Sequence, residues 1–389
     1  MKHLTEIQAL YKAHFRAPLE GRYIRLEHLF LLLEELQSDC KINIEGYSEF
    51  GKPIHSITIG KGAIQIFAWS QMHGNESTTT KAVFDFLYFL TQKTHFQDII
   101  EVFLSTYTFT VIPMLNPDGS ELYTRANGRG VDLNRDAKLL DQSESKLLRS
   151  LFDSLKPQLC LNLHGQRTIY GTSSNKSATV SFLAPAADEV KTITPARKQA
   201  MKSIAEINVM LQELIPGMVG RYDDTFNDNC VGDTFQMHGV PTILFEAGHY
   251  PLDYQREFTR ELIFYSFLRL FGMIGEPSSA ITFNDYFKIP DNEENFRDIL
   301  VKNFVLEGEA EEITNCTLQF TEKLKDGAIQ FVPIVSEIGA EATEFNAHKV
   351  IDCEGASILI NSHENVFVGE EIVTIVGDKG VNVVFFSHI

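Results

Sequence analysis

The sequence has few cysteines and no closely spaced pair of them. Its five cysteines, Cys40, Cys160, Cys230, Cys316 and Cys353, are scattered along the chain, and their number is odd. A disulfide framework usually needs an even set, and a thiolate zinc site usually shows a CxxC pair. The cysteine pattern therefore favours neither, and it is typical of a protein in a reducing compartment.

Long apolar runs and an excess of basic residues are also missing. No stretch reaches the roughly 20 apolar residues of a membrane-spanning helix. The first residues mix charges with apolar side chains and do not form the apolar core of a signal peptide. The net charge of -18 disfavours nucleic acid and anionic membranes as partners. We therefore expect a cytoplasmic protein, and the sequence leaves its oligomeric state open.

The length and the charge distribution predict two domains. A chain of 389 residues with 44% hydrophobic residues can bury a sizeable core and exceeds a typical single domain. Residues 285–389 hold 20 acidic and 7 basic residues, so most of the negative charge lies there. We predict a catalytic domain over residues 1–280, with a helical lead-in over 1–40. A small, acidic, β-rich domain is expected over 285–389, with a possible helix at 292–305.

Apolar runs alternate with amphipathic helical patterns through the larger part of the chain. The predicted strands cover residues 41–47, 54–59, 63–69, 106–114, 158–163 and 240–245, and the predicted helices 77–91, 143–155, 194–214 and 254–271. This order predicts an α/β fold with a mixed, largely parallel central sheet and helices on both faces. Polar residues follow several of the strands. In open α/β sheets, ligands bind outside the carboxyl ends of the strands.

Three of these polar residues form a candidate metal site. His73 and Glu76 lie three residues apart at a predicted strand-to-helix corner, and His164 ends the strand at 158–163. Imidazole and carboxylate groups are good zinc ligands, and catalytic zinc usually takes three protein ligands. An isolated HxxE pair is a weak signal, but the distant histidine strengthens it.

The segment from Arg125 to Arg135 and the late residue Glu246 supply further candidates. Arginine grips carboxylates in a bidentate manner, and Asn134 lies in the same segment as the two arginines. The apolar residues around Asp132 predict a half-buried strand that turns Asp132 and Asn134 inward, with Asp132 orienting a neighbouring residue or a ligand histidine. Glu246 ends an apolar strand, where a carboxylate is costly unless it is paired or used.

These motifs, taken in order, resemble the M14 metallocarboxypeptidase family over about residues 40–272. The motifs that carry the resemblance are His73-x-x-Glu76, Asn116-Pro117-Asp118-Gly119, Arg125 nine residues before Asn134-Arg135, His164 and Glu246. The resemblance implies a zinc carboxypeptidase-like fold. It also implies hydrolysis of a C-terminal peptide bond by zinc-activated water.

The resemblance also implies a role for each site residue. His73, Glu76 and His164 would hold one zinc ion, and Glu246 would be the general base and acid. Arg125 would stabilise the oxyanion, while Asn134 and Arg135 would bind the terminal carboxylate of the substrate.

Two departures from the family pattern affect specificity. The family usually has Asn-Phe after Asn-Arg, whereas this chain has Asp136-Ala137. A carboxylate beside Asn134 and Arg135 would shift the substrate preference toward a basic or amino-bearing group. The family's mobile tyrosine has no clear equivalent. The position expected from short-loop relatives holds Phe235, and the nearest upstream tyrosine, Tyr222, is the candidate.

Two other functions remain open. The motif His73-Gly74-Asn75-Glu76 and the β-rich C-terminal module also resemble the aspartoacylase and succinylglutamate desuccinylase branch of the same superfamily. Those enzymes cleave N-acyl amino acids with the same zinc chemistry. Asn116-Pro117-Asp118-Gly119 and the spacing of Arg125 favour the peptidase branch. A non-catalytic peptide-binding homologue is a minor alternative, since every catalytic residue type is present. The expected partner is a peptide or an N-acyl amino acid.

Overall fold

The protein consists of two compact units. The computed structural model describes residues 3–306, 313–362 and 365–385. Unit 1 comprises Met1–Gln166, Ala178–Gly248 and Gln255–Asn292, and unit 2 comprises Arg167–Ser177, His249–Tyr254 and Glu293–Ile389. Two short upstream segments thus belong to unit 2. The domain limits at 280 and 285 stay a prediction.

Unit 1 contains all nine α-helices of the described residues. They are α1 (Leu4–Leu10), α2 (Leu26–Leu36), α3 (Thr78–Thr91), α4 (Gln97–Thr106), α5 (Pro117–Leu122), α6 (Ser143–Leu155), α7 (Pro195–Leu214), α8 (Val231–Met237) and α9 (Glu257–Leu270). A π-helical turn covers Tyr11–Phe15, and 3-10 turns cover Leu133–Arg135 and Phe283–Lys288. Within the described residues, no helix combines the length and the apolar character that a membrane crossing requires.

An eight-stranded sheet forms the centre of unit 1. Its strands are β1 (Lys41–Tyr47), β2 (Pro53–Ile59), β3 (Ile64–Ser70), β4 (Tyr107–Ile112), β5 (Leu159–Gly165), β6 (Val180–Leu183), β7 (Val219–Arg221) and β8 (Thr242–Ala247). They are ordered β1-β2-β4-β3-β5-β8-β6-β7. The four central strands, β4, β3, β5 and β8, run parallel, while β1, β2 and β6 add antiparallel pairings. The predicted mixed α/β sheet is confirmed, and it is parallel mainly at its centre.

Both faces of the central strands are covered, as their apolar sequences require. Phe67 and Trp69 of β3 join Phe152 of α6 and Phe235 of α8 in one buried cluster. On β4 and β8, Phe109 and Phe245 contact phenylalanines of α3 and α9. Because β3 is buried on both sides, its sequence shows a nearly continuous apolar run.

The lead-in over residues 1–40 is only partly helical. Between the π-helical turn and α2, residues 16–25 form neither helix nor strand, and a buried ion pair ties them to the rest of unit 1. Arg260 of α9 donates to both carboxylate oxygens of Asp85 at 2.6 and 2.7 Å, and to the carbonyl oxygens of Ala17 and Leu19. Neither side chain of the pair is exposed. The lead-in is therefore part of the core of unit 1.

Unit 2 contains a six-stranded sheet in its described residues. The strands are β9 (Phe296–Leu306), β10 (Thr314–Lys325), β11 (Ala328–Ile338), β12 (Asn346–Ile360), β13 (Thr374–Gly377) and β14 (Asn382–Val384), in the order β11-β10-β9-β12-β13-β14. A 3-10 turn covers Gly339–Glu344. The β-rich character is confirmed, but the possible helix at 292–305 is wrong. Its apolar residues alternate on β9 and contribute Ile299, Val301 and Phe304 to a buried cluster.

Candidate metal centre and catalytic site

The candidate site lies at the carboxyl ends of three parallel strands of unit 1. His73 and Glu76 lie in the turn between β3 and α3, and His164 lies near the end of β5. β5 pairs with β8 so that His164 is directly opposite Glu246. The parallel topology thus places four residues from three separate sequence segments at one edge of the sheet.

The side chains of His73, Glu76 and His164 converge on one point, which we name the metal point. The Nδ1 atoms of His73 and His164 are 3.0 Å apart. Glu76 places Oε1 at 2.9 Å from Nδ1 of His73 and Oε2 at 3.0 Å from Nδ1 of His164. They are the one group among the described residues that could hold a metal ion. Two imidazole nitrogens and a carboxylate aimed at one spot are the donors that catalytic zinc takes.

The charges around this point also suit a cation. Burial by itself lowers the pKa of His73, but the carboxylates of Glu76 and Asp132 outweigh it and raise the pKa to about 9. Burial opposes the ionisation of Glu76, yet His73 and His164 hold the pKa of this carboxyl well below its usual range. Glu76 and Asp132 therefore favour a positive charge at His73, whereas burial lowers the pKa of His164. A divalent metal would supply that charge, and the residues present fit zinc.

Asp132 orients His73 from behind, as the sequence predicted. Its Oδ1 lies 3.0 Å from Nε2 of His73, so Nδ1 is left facing the metal point. Asp132 also accepts a hydrogen bond from Nε of Arg125 at 3.0 Å, and Nη1 of Arg125 lies 3.4 Å from Oε1 of Glu76. About half of the Arg125 side chain is exposed. Arg125 thus borders the metal point and faces solvent, from which a substrate would come.

The segment after Asp132 is a 3-10 turn, and the predicted half-buried strand is wrong. Leu133–Arg135 forms this turn because Asp132 caps it by accepting a hydrogen bond from the backbone of Asn134. The turn is held against the start of α8. Oδ1 of Asn134 accepts from the backbone of Val231 at 3.0 Å, and Nη1 of Arg135 lies 3.0 Å from Sγ of Cys230. Asn134 and Arg135 thus lie in the turn that Asp132 caps, and their role in substrate binding stays a prediction.

Asp136 is occupied by a structural role. Its side chain is 3% exposed, and its two carboxylate oxygens accept hydrogen bonds from the backbones of Asp141 and Gln142 at 3.0 and 2.9 Å. The charge that the sequence suggested for substrate selection is thus directed into the protein. This departure from the family pattern stabilises the start of α6.

Glu246 has the environment expected of a proton-transferring carboxylate. The residue is 7% exposed, and its Oε2 has no hydrogen-bond partner within the part of the chain that the structure describes. Burial and the nearby Glu76 raise the pKa of Glu246 well above its usual range. A buried carboxylate oxygen with no partner is costly, which makes this position a candidate for function.

The two positions considered for the family's mobile tyrosine, Phe235 and Tyr222, have different surroundings. Phe235 is buried on α8, where its ring stacks on Phe152 with centroids 3.8 Å apart. It is a core residue. Tyr222 follows β7, is half-buried, and donates its backbone N–H to the carbonyl of Phe182. Its role in substrate binding stays a prediction.

The motif Asn116-Pro117-Asp118-Gly119 packs against residues 72–76, which we name the metal loop. Nδ2 of Asn116 donates to the carbonyl of Met72 at 3.0 Å. A Cβ on Gly74 would lie 1.9 Å from the backbone of Gly119, so the close approach of the two segments requires glycine at position 74.

One supporting residue, Gln71, was not recognised from the sequence as functional. It is fully buried directly before the metal loop and has a left-handed backbone with φ 49°. The only sequence signal is a long polar residue at the end of an apolar strand.

Comparison with known proteins agrees with this geometry. The sequence model of the zinc carboxypeptidase family, peptidase M14, matches residues 31–211, somewhat less than half of the chain. This segment is similar in sequence to the M14 zinc carboxypeptidase family. The predicted resemblance is confirmed, and the family consists of zinc-dependent hydrolases that act on peptide bonds. No curated protein sequence matches the chain.

Several solved metallocarboxypeptidase structures are similar to this chain. A metallo-carboxypeptidase from Burkholderia cenocepacia has a TM-score of 0.50 at 15% identity and covers 64% of this chain and 69% of its own. One from Pseudomonas aeruginosa, in complex with (2-guanidinoethylmercapto)succinic acid, has a TM-score of 0.49 at 16% identity, covering 62% and 68%. Carboxypeptidase A from Helicoverpa armigera has 0.48 at 15% identity, covering 70% and 81%. At 15% identity and a TM-score of 0.50, the similarity to the Burkholderia cenocepacia structure shows a shared fold.

Proposed function

We propose that this protein is a zinc-dependent metallocarboxypeptidase that removes a residue from the C-terminus of peptides. The observation that carries the proposal is the meeting of His73, Glu76 and His164 at one point, with the buried Glu246 on the neighbouring strand. Arg125 borders this point, as stabilisation of an oxyanion requires, and Arg135 in the turn after Asp132 is the candidate for recognition of a carboxylate.

His73, Glu76 and His164 would hold the zinc ion. When bound, zinc would supply a Lewis acid that polarises the scissile carbonyl and lowers the pKa of water to about 7. Asp132 fixes the ring of His73 by its hydrogen bond to Nε2, so that Nδ1 points at the metal. Such supporting hydrogen bonds set the tautomer and the orientation of a ligand histidine.

The other side chains would act on the substrate. Glu246 would accept a proton from the attacking water and pass it to the leaving amine, because its free carboxylate oxygen is buried next to His164. Arg125 would donate hydrogen bonds to the oxyanion that develops from the carbonyl. Asn134 and Arg135 would bind the terminal carboxylate of the peptide, and Tyr222 is the candidate for a further substrate contact.

A panel of substrates tests this assignment. Purified protein is incubated with blocked dipeptides and peptides, with the same peptides amidated at the C-terminus, with N-acyl amino acids and with cell-wall peptides. We expect release of C-terminal residues from free-carboxylate peptides and at least about tenfold slower cleavage of the amidated forms, because amidation removes the charged group that Arg135 would bind. Equal cleavage of both forms would reject a carboxypeptidase.

The β-rich unit 2 is the reason to test a second candidate function, hydrolysis of N-acyl amino acids, with the same panel. An extra β-rich module after the zinc domain is the feature that resembles the N-acyl amino acid amidohydrolases. Preferred cleavage of N-acyl amino acids over peptides would support that function. A protein that binds peptides but cleaves no member of the panel would be a non-catalytic homologue.

A further inference from the structure

The metal loop is held by a segment that lies outside the region matched by the family. Residues 16–25, which we name the N-terminal strap, precede the matched segment at 31–211. Side chains of unit 1 donate hydrogen bonds to five carbonyl oxygens of the strap, those of Ala17, Leu19, Gly21, Arg22 and Ile24. Two of these contacts come from the immediate surroundings of the metal ligands.

Gln71 joins the strap to the metal loop. Its Nε2 donates at 2.9 Å to the carbonyl of Ile24 in the strap and at 2.9 Å to the carbonyl of Gly74, which lies between His73 and Glu76. Its Oε1 accepts a hydrogen bond from the hydroxyl of Thr80 in α3 at 2.9 Å. One amide thus fixes the strap, the loop and the first turn of the following helix.

The backbone of Gln71 gives a second indication of a specific role. Its φ of 49° lies in the left-handed region, which a residue with a long side chain rarely adopts. Its side chain is nevertheless fully buried. A glycine would adopt this backbone at lower cost, but it would lose all three hydrogen bonds. The side chain therefore compensates for an unfavourable backbone two residues before the ligand His73.

We propose that Gln71 is a positioning residue of the zinc site, which holds the His73–Glu76 loop in its metal-binding geometry by tying it to the N-terminal strap. The inference rests on the proposed zinc site. Residues that orient metal ligands through hydrogen bonds typically change metal affinity about 10- to 100-fold when they are replaced. Gln71 acts through the loop and touches neither metal nor substrate.

The test measures zinc affinity by competition with a chelator, and the melting temperature of the zinc-free protein, for wild type and three variants. Gln71→Met removes the amide and keeps the length of the side chain, while Gln71→Gly also relieves the backbone. The control is Ser120→Ala, because the hydroxyl of Ser120 donates at 2.7 Å to the same carbonyl of Ile24 but is bonded to no residue of the metal loop.

We expect both Gln71 variants to bind zinc at least about tenfold more weakly than wild type, while Ser120→Ala stays within about twofold. Wild-type affinity in a folded Gln71→Gly protein would overturn the inference, as would equal losses in Ser120→Ala and the Gln71 variants. If Gln71→Met does not fold, Gln71→Gly and the control decide the question. A wild-type protein that binds no zinc would instead reject the proposed function, and the inference with it.

Discussion

Glu246→Gln is expected to retain zinc and to lose at least about 10³-fold in kcat/KM, near the upper range that a general base contributes. The amide has nearly the shape of the carboxylate, so the buried end of β8 should keep its packing. It cannot accept the proton of water. Since Glu246 faces His164 across the strand pair without joining the cluster of metal donors, the zinc site should remain intact.

Steady-state kinetics and metal analysis of the same preparation check this result. The matched control is Glu76→Gln, which alters a carboxylate of the metal cluster and should reduce zinc affinity as well as activity. An active, zinc-loaded Glu246→Gln protein would show that the base lies elsewhere. Loss of zinc from this variant would place Glu246 among the ligands and reject its separate role.

Arg125→Ala is expected to lower kcat by hundreds of fold with the fold and the zinc content unchanged. Its guanidinium borders the metal point, and its half-exposed position lets it donate to a developing oxyanion. Removal of one oxyanion donor costs about 10²- to 10³-fold in known acyl-transfer sites. Because the side chain is not part of the buried core, its loss should change stability little.

The split between kcat and KM identifies the role of Arg125. A loss mainly in kcat indicates stabilisation of the transition state, whereas a loss mainly in KM indicates substrate binding. The control is Arg129→Ala, four residues away, whose side chain is exposed and pairs with Glu49. That variant should keep kcat within about twofold. Near wild-type kcat in Arg125→Ala would reject the oxyanion role.

The sequence allowed the central sheet and the candidate site to be predicted because both depend on local patterns. Apolar runs such as Ile64–Ser70 reveal a buried strand, and polar residues directly after such runs mark the carboxyl edge of a parallel sheet. His73, Glu76, His164 and Glu246 were found in this way. Their convergence could be expected because the ends of parallel neighbours meet at one edge.

Other features depend on contacts between distant residues and could not be predicted. The alternation around Asp132 resembles a strand, but the Asp132 side chain caps a 3-10 turn, and only the fold shows which hydrogen bond forms. Likewise, the sequence around Asp136 predicts a charge available to a substrate, whereas in the fold its carboxylate accepts two backbone hydrogen bonds. The apolar positions of residues 292–305 are compatible with both the helical and the strand period. Pairing with β10 and β12 selects the strand.

The zinc content of the purified protein tests the central claim most directly. We expect about one zinc per chain for wild type and for Glu246→Gln, and less than about a tenth of that for His164→Ala after dialysis against a weak chelator, because this variant keeps only two of the three protein ligands. A wild-type chain that neither carries zinc nor binds it when added would contradict the account. So would a His164→Ala protein that retains zinc as tightly as wild type.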